Sequence, residues 1–198
     1  VGSCTVPYGF EYSDNNFPNI FTKENRMFFS QMMLCICGGA FPLVYGWSSG
    51  RKSNCTLQFL NAIGKMPFVY PCHYHTSLDR MKEFVHNAAE FFAYVVFKDI
   101  YSLKYEVLSD FCTELVAMKN NLPTHIFATY TYGQNNSMHI PEILKLAFRP
   151  VDINNYGYSK KFEVILAAMG ADSPELASKL SNLVKTITKA FKEPLSSA

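Results

Sequence analysis

The amino-acid sequence predicts an all-α fold: six or seven helices around a buried apolar helix, stapled by disulfides, with at most a minor short β element. Three stretches carry that expectation. Residues 27–50, MFFSQMMLCICGGAFPLVYGWSSG, contain no charged side chain, and a helix apolar nearly all round belongs inside, encircled by amphipathic ones. Residues 77–121 hold no Pro or Gly and bring apolar side chains back at 81, 84, 85, 88, 91, 92, 95 and 96, the recurrence of a helix face. The tract from Ser173 opens on Pro174 and Glu175 and closes on Lys185, Lys189 and Lys192, as a capped helix with dipole-complementing charges does.

In chain order, residues 1–21 mix Pro, Gly, Asn and aromatics without periodicity and read as an irregular arm. Thr22 caps a helix over 23–37, with Glu24 in its first turn and Gly38-Gly39 as the stop. AFPLVYGW, interrupted by Pro42 and Gly46, reads as no more than an extended segment, and SSGRKSN as the loop after it. A short helix covers 55–65, and MPFVYPCHYH is extended between Pro67 and Pro71. Thr76 and Asp79 form a capping-box arrangement ahead of the long helical tract. That tract breaks near 99–102, because forty-five unbroken residues exceed the usual globular helix, and resumes over 103–119. A short strand fits 125–132, Pro141 starts the helix PEILKLAF, and Ser159 caps another that ends at Gly170. In the last helix Leu176, Leu180, Leu183, Val184, Ile187 and Phe191 share a face. With no repeat or linker, residues 1–198 read as a single helical domain.

At 17% charged and 15% aromatic residues the chain is a folded one, long enough to bury a core without a metal. Its net charge of +2 leaves no cationic surplus for a row of phosphates, which argues against a nucleic-acid partner. It opens at Val1 without a basic and then apolar leader, as a mature protein or an excised domain would. Cys4, Cys35, Cys37, Cys55, Cys72 and Cys112 are even in number and match no zinc spacing. They read as a disulfide framework, and so as an extracellular protein of the secretory pathway. Asn54 and Asn135 open N-x-S/T sequons and are the candidate glycosylation positions.

The chemistry-bearing patterns are few. GWSSG, residues 46–50, matches the nucleophile-elbow spacing around Ser48, but Arg51 and Lys52 follow where small helical residues belong, and few strands exist to build the required sheet. PCHYHT puts His73 and His75 on one face of an extended segment, with Asp79, Glu83 or His86 as further ligands and Cys72 on the other face. The simpler reading pairs Cys72 in a disulfide, leaves the imidazoles half exposed, and calls for no metal. Glu106, Asp110 and Glu114 recur every four residues, a solvated stripe. No glycine-rich phosphate loop follows a strand in this reading, so neither catalysis nor a cofactor is expected. A membrane span over 27–50 is set aside because Gln31, Gly38-Gly39 and Pro42 divide it.

The apolar interior then carries the functional expectation. Met27, Met32 and Met33, with Phe84, Phe91 and Phe92, would line an inter-helix cavity of adaptable and aromatic side chains. The sequence predicts a secreted, non-catalytic helical protein that binds an apolar, lipid-like small molecule. The alternative is a protein-recognition domain from the ectodomain of a larger cell-surface or viral glycoprotein.

Overall fold

Strands occupy three of the stretches expected to be helical or merely extended. The computed structural model describes residues 5–12, 23–46, 51–119, 124–131, 139–153, 158–171 and 173–192. In order the elements are α1 (Lys23–Cys37), β1 (Phe41–Gly46), α2 (Arg51–Ala62), β2 (Pro67–Pro71), α3 (Leu78–Glu90), β3 (Tyr94–Lys98), a 3-10 turn (Ile100–Ser102), α4 (Tyr105–Met118), β4 (Ile126–Thr131), α5 (Glu142–Ala147), β5 (Phe148–Asp152), α6 (Tyr158–Ala168) and α7 (Pro174–Lys192). The strands form one five-stranded sheet, every pair parallel, in the order β2-β3-β4-β1-β5. The all-α expectation is therefore corrected to an α/β fold.

Parallel strands need crossovers, and right-handed crossovers decide which face each helix covers. From β1 the chain moves along the sheet to β2, while β2 to β3, β3 to β4 and β4 to β5 all move back the other way. The helix in the first connection, α2, must then lie opposite α3, α4 and α5. Side-chain alternation agrees. Phe41, Leu43, Val95, Phe97, Ile126, Ala128 and Tyr130 join one buried cluster with residues of α3, α4 and α5. The intervening Val44, Val96, Phe127 and Thr129 face the other way, towards the side where α2 lies against β1 and β4. Helix α1 sits on that side too, its Phe29 ring 5.3 Å from Phe59 of α2.

A sheet covered on both faces explains why its central strands read as unbroken apolar runs instead of alternation. Val95, Val96 and Phe97 of β3 are all 0% exposed, and burying each contributes up to about 1.5–3 kcal/mol. Pro42 does not interrupt β1, because the ladder to β4 begins only at Leu43. The two edge strands carry prolines of their own: Pro67 and Pro71 in β2, Pro150 in β5.

Helix α3 ends where the sequence shows no stop. The amides of Phe92 and Ala93 donate to Ala89 and Ala88, and Phe92 has φ 53, a Schellman closure with Phe in the left-handed position. Gly39, Gly64 and Gly170 fill that position after α1, α2 and α6. The tract 77–98, expected as one helix, is thus α3, a tight turn and the buried strand β3.

By Cα proximity the chain divides into two compact units, Val1–Asn19 with Met27–Asn154, and Ile20–Arg26 with Asn155–Ala198. The first holds the whole sheet. Its arm, residues 5–12, runs beside the α2–β2 turn, with the amides of Gly9 and Glu11 donating to Ile63 and Gly64 at 2.9 Å. The second contains α6 and α7, which pack on each other. Along α7, Ala177 and Ser181 are buried, whereas Leu176, Leu183 and Ile187, expected on its inward face, stand exposed.

The framework of three disulfides is also corrected: Cys35, Cys55, Cys72 and Cys112 are buried thiols outside any disulfide and fill core space as small apolar groups. Cys37 is disulfide-bonded, and Cys4 lies outside the described residues. Among the described residues no helix is long and apolar enough to cross a membrane.

Candidate functional site

In an open parallel sheet, ligands bind beyond the carboxyl ends of the strands, where neighbouring connections leave in opposite directions. Here that point falls between β1, followed by α2 on one face, and β4, followed by α5 on the other. Three chemistry-bearing residues meet the crevice: Gly46, Lys52 and Asp99.

Gly46 ends β1 beside Thr131 of β4. A Cβ there would lie 3.3 Å from the Ile153 carbonyl oxygen and 3.9 Å from Lys52 Cδ, so the backbone runs close to its neighbours and the lysine stem passes over the strand end. Residues 47–50 are outside the described set. The chain resumes in α2, whose first turn carries Lys52, only 4% exposed. Burial pushes its amine below the usual lysine range, while the Asp99 carboxylate pulls it back up. The Lys52 carbonyl accepts from Thr56 Oγ1 at 2.8 Å.

Asp99 follows β3 directly and takes the left-handed conformation, φ 55 and ψ 49. Its amide donates to Thr129 Oγ1 of β4 at 2.9 Å. Cys72, just past β2, donates its amide to the Lys98 carbonyl at 2.9 Å, and burial, with Asp99 nearby, pushes its thiol up to about 12. Lys52, Thr56, Thr129 and Thr131 are buried polar residues in an otherwise apolar layer. Beside them, between α1 and β5, a cleft of about 520 Å³ is lined by Gln31, Leu34, Cys35, Tyr45, Arg149 and Asp152 among others. Burial raises the Asp152 carboxyl above its ordinary range.

The residues singled out from the sequence land elsewhere. Met32 is fully buried and Met33 half-buried on α1, while Met27 is 63% exposed. Phe84 stacks with Tyr70 and Phe97 under α3, on the opposite face of the sheet, and Phe91 and Phe92 are exposed at the α3–β3 turn. They do not converge, so the inter-helix cavity for a lipid-like molecule is corrected along with the all-α fold. The extracellular assignment rested on six cysteines pairing in three disulfides, and it is corrected because four of them are unbridged; the secreted helical protein and its ectodomain alternative are corrected with the all-α fold. Asn54 sits inside α2 and Asn135 lies outside the described residues. His73 and His75 are exposed, and no group of three His, Cys, Asp or Glu among the described residues could hold a metal ion. Ser48 is outside the described residues, while Glu114 pairs with Lys82 at 2.5 Å.

Reasoning from the sequence missed Lys52, Ser53 and Asp99. A signal was present: residues 46–53, GWSSGRKS, meet the phosphate-loop spacing G-x-x-x-x-G-K-[ST] at Gly46, Lys52 and Ser53, and depart from it at Arg51, where the second glycine belongs. The pattern has force only between a strand and a helix, and β1 and α2 supply both.

Fold and crevice together define a parallel α/β domain with a lysine in the first turn of the helix after a central strand. Among solved structures, the fold is similar to that of the RuvB Holliday junction branch migration motor of Thermotoga maritima, with a TM-score of 0.58 at 11% sequence identity, over 87% of this chain. The match covers 64% of that protein, so the chain spans less than two thirds of its length. At such identity the likeness is one of fold. No family model and no curated protein matches the sequence. The expectation of a non-catalytic chain depended on there being no strand ahead of a glycine-bearing loop; β1 is such a strand, and that ground is corrected.

Proposed function

We propose that this chain binds a nucleoside triphosphate at the β1–α2 junction and acts as a nucleotide-dependent enzyme or switch. The observation that supports it most is the position of Lys52: a nearly buried lysine in the first turn of the helix after a central strand, facing the Asp99 carboxylate across the strand ends. The lysine stem passes over the end of β1 beside the first amides of α2, the place where an anion is favoured.

The residues fit the ligand. The amides at the start of α2 and its dipole favour an anion, and the Lys52 ammonium adds a point charge for the outer phosphates. The Ser53 hydroxyl and Asp99 carboxylate are hard oxygen donors suited to Mg²⁺, which is usually held by one or two protein ligands together with phosphate oxygens and water. Bound there, Mg²⁺ would neutralise charge on the β- and γ-phosphates. The 520 Å³ cleft reaches Tyr45, one residue before Gly46, and offers a base and sugar a mixed lining, Leu34 and Tyr45 together with Gln31, Arg149 and Asp152. RuvB is named for migrating a DNA junction; nothing in the present reading requires nucleic acid, and the net charge of +2 gives no surplus for it.

Lys52→Met tests the reading. The substitution keeps the stem's volume, and cooperative thermal melting of the variant shows that the fold survives loss of the ammonium. Binding of a fluorescent ADP analogue, measured by anisotropy, should disappear in the same variant. Wild-type protein without measurable affinity for ATP or ADP in the presence of Mg²⁺ would overturn the proposal.

A further inference from the structure

Thr129 is 0% exposed in β4, a central strand covered on both faces, where valine would have the same shape and suit the surroundings better. A hydroxyl there needs a hydrogen bond to offset its burial. The ladder between β3 and β4 ends with Phe97 opposite Ala128. Two residues later the chain swings into the left-handed region at Asp99 and leaves the strand as the turn Ile100–Ser102. The Asp99 amide therefore has no place in the ladder, and Thr129 Oγ1 accepts from it at 2.9 Å. In the register Thr129 also lies opposite Val44 of β1, two residues before Gly46. The Thr129 hydroxyl thus holds the turn that carries the aspartate, while its backbone pairs with the strand that leads to the lysine.

We propose that Thr129 is a positioning residue for metal–nucleotide binding: its hydroxyl locks the left-handed turn at Asp99 and so aims the carboxylate at the crevice beside Lys52. This rests on the nucleotide-binding reading above. Thr129 touches neither nucleotide nor metal in this arrangement and acts through the Asp99 backbone. Removing its acceptor frees the turn while the carboxylate itself stays in the chain.

The test compares wild type, Thr129→Val and Thr129→Ser for binding of a fluorescent ADP analogue, with Mg²⁺ titrated in and with EDTA present. Losing an outer-shell support of a metal ligand weakens metal affinity by about 10–100-fold. Thr129→Val should show that loss in its Mg²⁺ requirement, with EDTA-state affinity unchanged, and Thr129→Ser should restore the wild-type Mg²⁺ dependence. A merely structural threonine would lower both affinities together or neither. Thr129→Val with wild-type Mg²⁺ dependence overturns the inference while leaving nucleotide binding intact. Wild type that binds no nucleotide overturns the site and this inference with it. Should Thr129→Val melt below the assay temperature, Thr129→Ala against Thr129→Ser carries the comparison, and equal Mg²⁺ dependence in those two overturns it.

Discussion

β3 is bounded by two residues in the left-handed region, Phe92 before it and Asp99 after it, at φ 53 and φ 55. At the amino end Phe92 closes α3 through backbone hydrogen bonds alone, its ring 65% exposed. At the carboxyl end the Asp99 amide is held by a buried threonine, and its carboxylate acts on Lys52. The same local strain serves a helix cap in one place and a polar crevice in the other. A left-handed residue becomes informative about function through the groups that hold it, not through its dihedral angle.

Three substitutions probe that contrast, in decreasing order of effect. Val96→Asp strikes the strand between the two ends. It places an unpaired charge at a position 0% exposed, at a cost of several kcal/mol, about the stability of an ordinary domain. Cooperative thermal unfolding followed by circular dichroism should vanish; a retained transition would show that β3 is not interior. Asp99→Gly keeps a residue that adopts the left-handed turn freely but deletes the carboxylate. Mg²⁺-dependent nucleotide affinity should fall by about tenfold or more, with a smaller drop in melting temperature, because Gly suits the turn but Lys52 loses a carboxylate that favours its charge. The same change at the other end, Phe92→Gly, should raise the free energy of unfolding by about 0.5–1 kcal/mol in urea titrations, the relief of a left-handed Phe exceeding the chain entropy added by Gly. Nucleotide binding should not move, and a Phe92→Gly variant that bound less tightly would erase the distinction between the two ends.

Much of the local structure was legible in the sequence. Helix α1 spans 23–37 as expected, α4 and α7 fall where their apolar spacing put them, and the strand expected at 125–132 is β4. What failed was the reading of tertiary context. Phe91, Phe92, Val95 and Val96 satisfy helical spacing, yet YVVF is equally the continuous run of a strand buried on both faces. The usual arbiter, a glycine at the helix end, is absent because Phe92 takes its place. β5 escaped because it follows α5 with no intervening loop and contains Pro150. Once β3 and β5 were lost, β1 had no sheet to join. The spacing from Gly46 to Lys52 and Ser53 then lay in what read as a loop, further disguised by Arg51. Asp99 was seen only as a break between helices, since nothing local marks its bond to Thr129, thirty residues away.

The prolines at the two rims of the sheet limit how this molecule can associate. A pyrrolidine nitrogen offers no hydrogen to an incoming polypeptide, so neither β2, with two of its five residues proline, nor β5, interrupted at Pro150, presents an unbroken template for zipping on a foreign strand. Copies of the chain are discouraged from fusing into cross-molecular β-structure at high concentration, and any assembly they form must engage helices or loops instead.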